Sequence, residues 1–173
     1  MPGHGCMPIT VLGGVMDLHR QAENLIYRYA EMIDEGDFDG LGSVFARASI
    51  HFVPGGLSLH GARDITSFYE KSIIIDAATG TPCTTHWVSN VMLHDVPDGL
   101  SARSRYQVTL SQNSEPPRLI ATGRYFDQFF VDGDRVYFAQ RRIITEYMGD
   151  TSGHLRQGLW TAANKSNYDL SRR

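Results

Sequence analysis

The sequence predicts an α+β domain in which the helices come first and a sheet of long antiparallel strands follows. Apolar residues recur at helical spacing between residues 18 and 33, and again between 62 and 74. From residue 84 onward the pattern changes to the two-residue alternation of strands. Turn-forming Gly, Pro and Asp separate these late strands. Helices followed by a run of strands indicate the α+β class.

The helical part is expected to begin at Asp17, which is a suitable N-cap residue. Gly36 should end the first helix, and Asp37 can cap a second, short helix that follows at once. A third helix is predicted from about residue 62 to residue 74. The apolar positions of the first helix are Leu18, Ala22, Leu25, Ile26, Tyr29 and Ile33.

Short strand patterns are expected at 49–53 and 57–60, joined by a Pro-Gly-Gly turn, and longer ones follow the third helix. The longer strands are predicted at 84–94, 100–112, 118–131 and 135–147. The Asp-Gly-Asp sequence at 132–134 is a strong signal for a tight hairpin. One curved sheet wrapped around the helices would leave a cavity between them.

Size and composition are those of a single globular domain: 173 residues, 42% hydrophobic and 20% charged. The net charge of −3 and the pI of about 6.1 argue against nucleic acid as a partner, because phosphate binding needs a basic face. The two cysteines, Cys6 and Cys83, form neither a disulfide framework nor a metal-ligand spacing. Reduced thiols and a cytoplasmic location are therefore expected.

The two ends of the chain are expected to lie outside the domain proper, which should span residues 17–148. Residues 1–16 are interpreted as an N-terminal extension. Their apolar run at 9–12 is too short for a signal peptide or a membrane span, so no membrane association is expected. Residues 149–173 form a polar tail with one tryptophan, Trp160. This tail is expected to be a loosely held arm, or a lid over a pocket or an interface.

An aspartate and a histidine are the residues with the most chemical interest. Asp34 falls in the last turn of the first helix, where a carboxylate opposes the helix dipole and needs compensation. His86 lies in a predicted strand, and a carboxylate that orients an imidazole makes a general base near neutral pH. From the residues alone, an exposed acid and a structural histidine are the simpler interpretation. Tyr29 fits an ordinary core residue and a site residue about equally well.

Strand alternation does not settle which face of the His86 strand lines a cavity, because both faces are half apolar. The face that should carry His86 also carries Thr84, Val88, Asn90 and Met92. A metal site is not expected: His51 and His60 could meet across a hairpin, but no third ligand is evident. Arg141 and Arg142 should point to opposite faces of the last strand, so one of them is expected to face inward or to pair with an acid. Asp127 and Glu146 are the candidate acids.

Four short motifs in order resemble the SnoaL-like branch of the nuclear-transport-factor-2-like superfamily. They are RYA-x3-D-x-GDFD-x-L at 28–41, L-x-G at 59–61, TH-x2-SN at 85–90 and GRYFD at 123–127. The likeness spans residues 17–147. It implies a cone-shaped α+β barrel, in which a strongly bent mixed sheet packs on three N-terminal helices around an apolar pocket.

The resemblance also implies roles for particular residues. Asp34 and His86 match the catalytic pair of scytalone dehydratase, bile-acid 7α-dehydratase and hexachlorocyclohexane dehydrochlorinase. Tyr29 matches a catalytic tyrosine of the bile-acid enzyme. Phe52 replaces a pocket tyrosine of scytalone dehydratase, and Tyr106 stands near the place of that enzyme's second histidine. Scytalone itself is therefore not the expected substrate. Substrate contacts are expected from Phe52, Tyr106, Tyr125 and Val88.

By this resemblance the chain is expected to be a cofactor-independent lyase that acts on a small apolar, cyclic carbonyl compound. The same proton shuttle would also serve an isomerase or a cyclase. The superfamily further includes non-catalytic ligand-binding modules and oxygenase β subunits, because fold does not fix function. No cofactor and no metal are expected. The resemblance implies a homodimer or a homotrimer.

Overall fold

The computed structural model describes residues 17–53, 55–112 and 115–156. Within these residues the chain forms three helices, and then completes a sheet of six strands. The helices are α1 (Leu18–Glu35), α2 (Phe38–Val44) and α3 (Gly61–Ser72). No helix in the described part of the chain is both long enough and apolar enough to cross a membrane.

The strands form one curved, mixed sheet. They are β1 (Ser49–Val53), β2 (Ser58–His60), β3 (Thr84–Val96), β4 (Gly99–Leu110), β5 (Arg118–Asp132) and β6 (Arg135–Met148). Their order across the sheet is β2-β1-β6-β5-β4-β3. β1 runs parallel to β6 and every other neighbouring pair is antiparallel. The predicted α+β class, with three helices packed on a bent mixed sheet, is confirmed.

Local chemistry fixes both ends of α1. The carboxylate of Asp17 accepts a hydrogen bond of 3.1 Å from the backbone N–H of His19, as expected of an N-cap. At the other end Gly36 adopts φ 76°, a left-handed conformation that glycine reaches without strain. The helix therefore ends one residue after Asp34, which stays in its last turn.

The third helix ends earlier than its sequence pattern predicts. Instead of continuing to residue 74, α3 stops at Ser72. The backbone N–H of Ile74 donates to the carbonyl of His154, and Ile73 forms an isolated β-bridge with Leu155. Contacts with a distant segment thus replace the last helical turn.

A β-bulge in β3 changes the predicted alternation. The register shifts between Ser89 and Met92, and Asn90 has a φ of 53°. Beyond the bulge Val91 and Leu93 are half-buried, whereas Asn90 and Met92 are exposed. The prediction that Met92 shares a face with His86 is therefore wrong, because the extra residue reverses the faces.

A buried ion pair lies in the core beneath the sheet's inner face. Arg141 binds Asp127 through two hydrogen bonds, Nε to Oδ1 at 2.7 Å and Nη2 to Oδ2 at 2.8 Å. Both side chains are fully buried. Burial opposes the charge on Arg141, but the Asp127 carboxylate more than offsets this effect, so the pKa of Arg141 is raised and the guanidinium stays charged. Of the two arginines and the two acids considered from the sequence, Arg141 and Asp127 form the buried pair.

Candidate active site

Asp34 and His86 are in direct contact although they are far apart in the sequence. Nδ1 of His86 lies 2.6 Å from Oδ1 of Asp34. The backbone N–H of His86 donates to Oδ2 at 2.7 Å, and the hydroxyl of Thr84 donates to Oδ1 at 2.7 Å. All three donors come from the start of β3. The carboxylate at the end of α1 is therefore bound to the first residues of this strand.

These donors provide the compensation that a carboxylate at a helix C-terminus requires. Burial alone would raise the pKa of Asp34, but the hydrogen bonds and charge of His86, together with the Thr84 hydroxyl, outweigh burial and lower it. Asp34 is therefore ionised at neutral pH. An ionised acceptor at Nδ1 makes that nitrogen the protonated one and leaves the lone pair of the neutral ring on Nε2. The side chain of His86 is 8% exposed and that of Asp34 is 20% exposed.

A cavity of about 80 Å³ lies between the helices and the inner face of the sheet, and His86 forms part of its wall. Its apolar lining comes from Ile33, Phe52, Ile73, Val108, Ile120, Ala121, Ile143, Met148 and Leu155. Its polar lining comes from Tyr29, Tyr69, His86, Tyr106, Tyr125, Thr145, Thr151 and His154. Lys and Arg are absent from the lining that the described residues supply.

Tyr29 lines the cavity as part of a pair of hydroxyls. Its oxygen lies 2.7 Å from the hydroxyl oxygen of Tyr69, and either can be the donor. Burial raises the pKa of Tyr29 despite the opposing effects of Arg141 and Tyr69, and it raises the pKa of Tyr69 further. Both hydroxyls therefore keep their protons. Because one hydrogen joins the two oxygens, the pair retains a second hydrogen for a ligand.

The buried Arg141 supports the aromatic wall of the cavity. Its guanidinium carbon lies 4.1 Å from the ring centroid of Tyr29 and 4.3 Å from that of Tyr125. A cation over an aromatic face is attracted by the ring quadrupole. With Asp127 fixing the guanidinium plane, this contact holds both rings in place.

Of the four predicted substrate contacts, Phe52, Tyr106 and Tyr125 line the cavity. The rings of Tyr106 and Tyr125 stack with centroids 4.5 Å apart, and the Tyr106 hydroxyl lies 3.0 Å from that of Thr145. Val88 is not among the lining residues. It lies two positions after His86 on β3, half-buried against the core.

Sequence reasoning did not identify His154, which belongs to the tail yet lines the cavity. The backbone N–H of Ile74 donates to its carbonyl at 2.8 Å, which fixes this segment to the end of α3. No periodicity surrounds His154, so the sequence carried no signal for it. Trp160, residues 1–16 and the rest of the tail lie outside the described residues.

The two histidines considered for a metal site do meet. The rings of His51 and His60 are 5.9 Å apart, and His51 also contacts the hydroxyls of Ser49 and Ser58. Across residues 17–53, 55–112 and 115–156, no group of three or more His, Cys, Asp or Glu side chains is arranged to hold a metal ion.

Comparison with solved structures shows the fold. Aln2 from a Streptomyces species superposes with a TM-score of 0.61 at 20% identity, covering 75% of this chain and 91% of Aln2. A candidate scytalone dehydratase from Novosphingobium aromaticivorans gives 0.60 at 19% identity, covering 76% and 86%. The β subunit of a candidate aromatic-ring-hydroxylating dioxygenase from the same organism gives 0.60 at 14% identity, covering 75% and 90%.

No curated protein matches the chain by sequence. The model of the SnoaL-like domain family matches residues 15–142, which is most of the chain and includes both Asp34 and His86. This match agrees with the cone-shaped fold and with the motifs that suggested it. The chain belongs to the SnoaL-like domain family, within the nuclear-transport-factor-2-like fold.

Proposed function

We propose that this protein is a cofactor-independent lyase that eliminates water from a small, apolar, cyclic carbonyl compound. The observation that carries the proposal is the 2.6 Å contact between Asp34 and His86 at the wall of an apolar cavity. A histidine oriented by an ionised carboxylate, with a lone pair on its second nitrogen, is equipped to remove a proton. The likeness to a candidate scytalone dehydratase supports elimination as the reaction.

In the proposed reaction, Nε2 of His86 takes the proton from the carbon next to the carbonyl. Asp34 holds Nδ1–H and stabilises the imidazolium that forms. The electron pair of the broken C–H bond becomes the new C=C bond as the C–O bond to the β-hydroxyl breaks. The departing hydroxide takes the proton back from the imidazolium and leaves as water. The spare hydrogen of the Tyr29–Tyr69 pair stabilises the charge that develops on the carbonyl oxygen.

The cavity lining supports a neutral substrate and a dry reaction site. Nine of its seventeen lining residues are apolar, and the described lining includes neither Lys nor Arg. Apolar walls orient a ring and exclude water, which strengthens the interactions around the developing charge. The ordered Asp34–His86 pair weighs against a non-catalytic module, because binding or assembly alone does not need an oriented acid–base pair. The cavity weighs further against a pure assembly subunit.

The proposal is tested by incubating the protein with β-hydroxycyclohexanone and following cyclohexenone by its ultraviolet absorbance. Asp34→Asn keeps the shape of the side chain but removes its charge, and is expected to slow turnover by about 10²–10⁴-fold. Glu35→Gln changes the neighbouring exposed acid and is the matched control that keeps wild-type activity. Formation of an isomer without release of water would indicate an isomerase. Equal rates for wild type and Asp34→Asn would contradict the proton-transfer role.

We also propose that the protein forms a homodimer or a homotrimer through the outer face of the sheet. Trp87 is 59% exposed and Tyr147 is 50% exposed. Both lie in one row across four strands, because Trp87 pairs with Gln107, Gln107 with Thr122, and Thr122 with Tyr147. Light scattering is expected to show an oligomer that Trp87→Glu dissociates. A monomeric wild-type protein would contradict this assembly.

A further inference from the structure

His154 is a polar side chain of the cavity that the proposed reaction leaves unused. It belongs to the C-terminal segment, defined here as residues 149–156, which follows β6 and reaches the end of α3. The residue is only 6% exposed, and it lines the same cavity as His86. A buried histidine at the wall of a cavity raises the question of what its imidazole binds.

The backbone holds this histidine in a defined place. The N–H of Ile74 donates to the carbonyl of His154 at 2.8 Å, and the N–H of Arg156 donates to the carbonyl of Ser72 at 2.8 Å. These bonds flank Leu155, which forms a β-bridge with Ile73. Backbone contacts thus attach the segment to the end of α3 on both sides of Leu155, and they fix the backbone of His154 at the cavity wall.

The ring of His154 has an unused hydrogen-bonding position. Its Nδ1 atom is buried and has no hydrogen-bond partner among the described residues. Three pairs of polar groups at the cavity already bind each other: His86 with Asp34, Tyr29 with Tyr69, and Tyr106 with Thr145. A buried polar atom without a partner is unfavourable. Because His154 lines the cavity, a turn of its ring toward that space would let the unpaired nitrogen bind a ligand oxygen.

The surroundings keep this imidazole uncharged. Burial lowers the pKa of His154 to about 4, and the nearby charge of His86 acts in the same direction, while Asp34 opposes it. A neutral imidazole offers one N–H donor and one nitrogen acceptor. It therefore suits a hydroxyl or a carbonyl oxygen. The described lining has neither Lys nor Arg to balance a carboxylate or a phosphate.

We propose that His154 is a substrate-binding residue that forms a hydrogen bond with a hydroxyl or carbonyl oxygen of a neutral, ring-sized ligand. The inference rests on the proposed function only in taking this cavity as the substrate site. It does not depend on proton removal by His86. It adds to the site a polar contact supplied by the C-terminal segment, and it restricts the substrate to uncharged, oxygenated compounds.

The test uses para-cresol and para-xylene, which have similar shapes and differ by a hydroxyl in place of a methyl group. Dissociation constants are measured by NMR titration of the full chain. The wild type is expected to bind para-cresol more tightly than para-xylene. His154→Leu is expected to weaken para-cresol binding by about three- to tenfold, the worth of one hydrogen bond, with para-xylene binding nearly unchanged. His154→Gln, which keeps a donor and an acceptor, should retain most of the preference.

Retained binding of para-xylene shows that the cavity of the leucine variant is intact. In the wild type, the ring nitrogen resonances of His154 should shift with para-cresol and not with para-xylene. A wild type without preference for para-cresol, including one that binds neither probe, would overturn the proposal. Equal losses for both probes in His154→Leu would also overturn it. If Asp34→Asn stays fully active while His154→Leu loses the preference, the lyase proposal fails and this one stands.

Discussion

Replacing His154 with leucine is expected to remove a loss of stability that the native protein suffers in mildly acidic solution. Burial, reinforced by His86 and only partly opposed by Asp34, lowers the pKa of His154 from 6.5 to about 4. In the unfolded chain the side chain is hydrated and the pKa returns to about 6.5. Between these values the unfolded state binds more protons than the folded state. Stability therefore falls as the pH falls from about 6.5 toward 4.

The size of the effect follows from the two pKa values. The difference between 6.5 and about 4 is worth about 3 kcal/mol once the titration is complete. Between about pH 7 and about pH 5, the part expressed is about 2 kcal/mol. Asp34 acts in a different window. Because its folded pKa is below the ordinary value of 3.8, its contribution is present above that value and is lost only as the pH falls through the folded pKa.

Urea unfolding at about pH 7 and about pH 5 measures this difference. The wild type is expected to lose about 2 kcal/mol more than His154→Leu between the two conditions. Leu155→Met, which changes the neighbouring side chain with little change of volume and keeps the histidine, should behave as the wild type does. If His154→Leu loses as much stability as the wild type, the imidazole is not buried in its neutral form and the reasoning fails.

Three substitutions test the structure around the cavity. Thr84→Val removes a hydroxyl that donates to Asp34 and should lower the free energy of unfolding by about 1.5–3 kcal/mol. Thr84→Ser keeps the hydroxyl and should lower it less. Equal losses for the two variants in urea unfolding would argue against the hydrogen bond. Asp127→Asn leaves the buried charge of Arg141 without its counter-ion and should cost about 3–5 kcal/mol; an unchanged Tm would refute this. Gly123→Ala places a Cβ against a backbone carbonyl of β6 and should lower the free energy of unfolding by about 1–3 kcal/mol. Wild-type stability in urea would show that β5 and β6 move apart at no cost, which would contradict this prediction.

The helices and strands with a regular spacing of apolar residues could be predicted from the sequence. The helical spacing in α1 and the alternation in β4 and β5 follow directly from burying one face of each element. Asp17 and Gly36 marked the ends of α1 because capping depends on one or two residues only. The features that the pattern missed are those set by tertiary contacts. The bulge at Asn90 and the early end of α3 are both of this kind.

The candidate site was predicted by resemblance and not by local pattern. Asp34 and His86 are separated by 52 positions, and nothing in either neighbourhood encodes their meeting. The compensation that Asp34 needs at a helix C-terminus was a correct physical hint, because three hydrogen bonds to its carboxylate supply it. His154 carried no such hint. It reaches the cavity because the C-terminal segment is fastened to α3, and that fastening depends on backbone hydrogen bonds with no sequence signature.

We propose that the Asp34–His86 pair removes a proton bound to carbon. Exchange of the protons next to the carbonyl of cyclohexanone, followed by NMR in deuterium oxide, measures that step without knowledge of the natural substrate. The wild type is expected to accelerate the exchange, and both His86→Gln and Asp34→Asn are expected to reduce the acceleration by about a hundredfold or more. Exchange at the wild-type rate in both variants would contradict the claim.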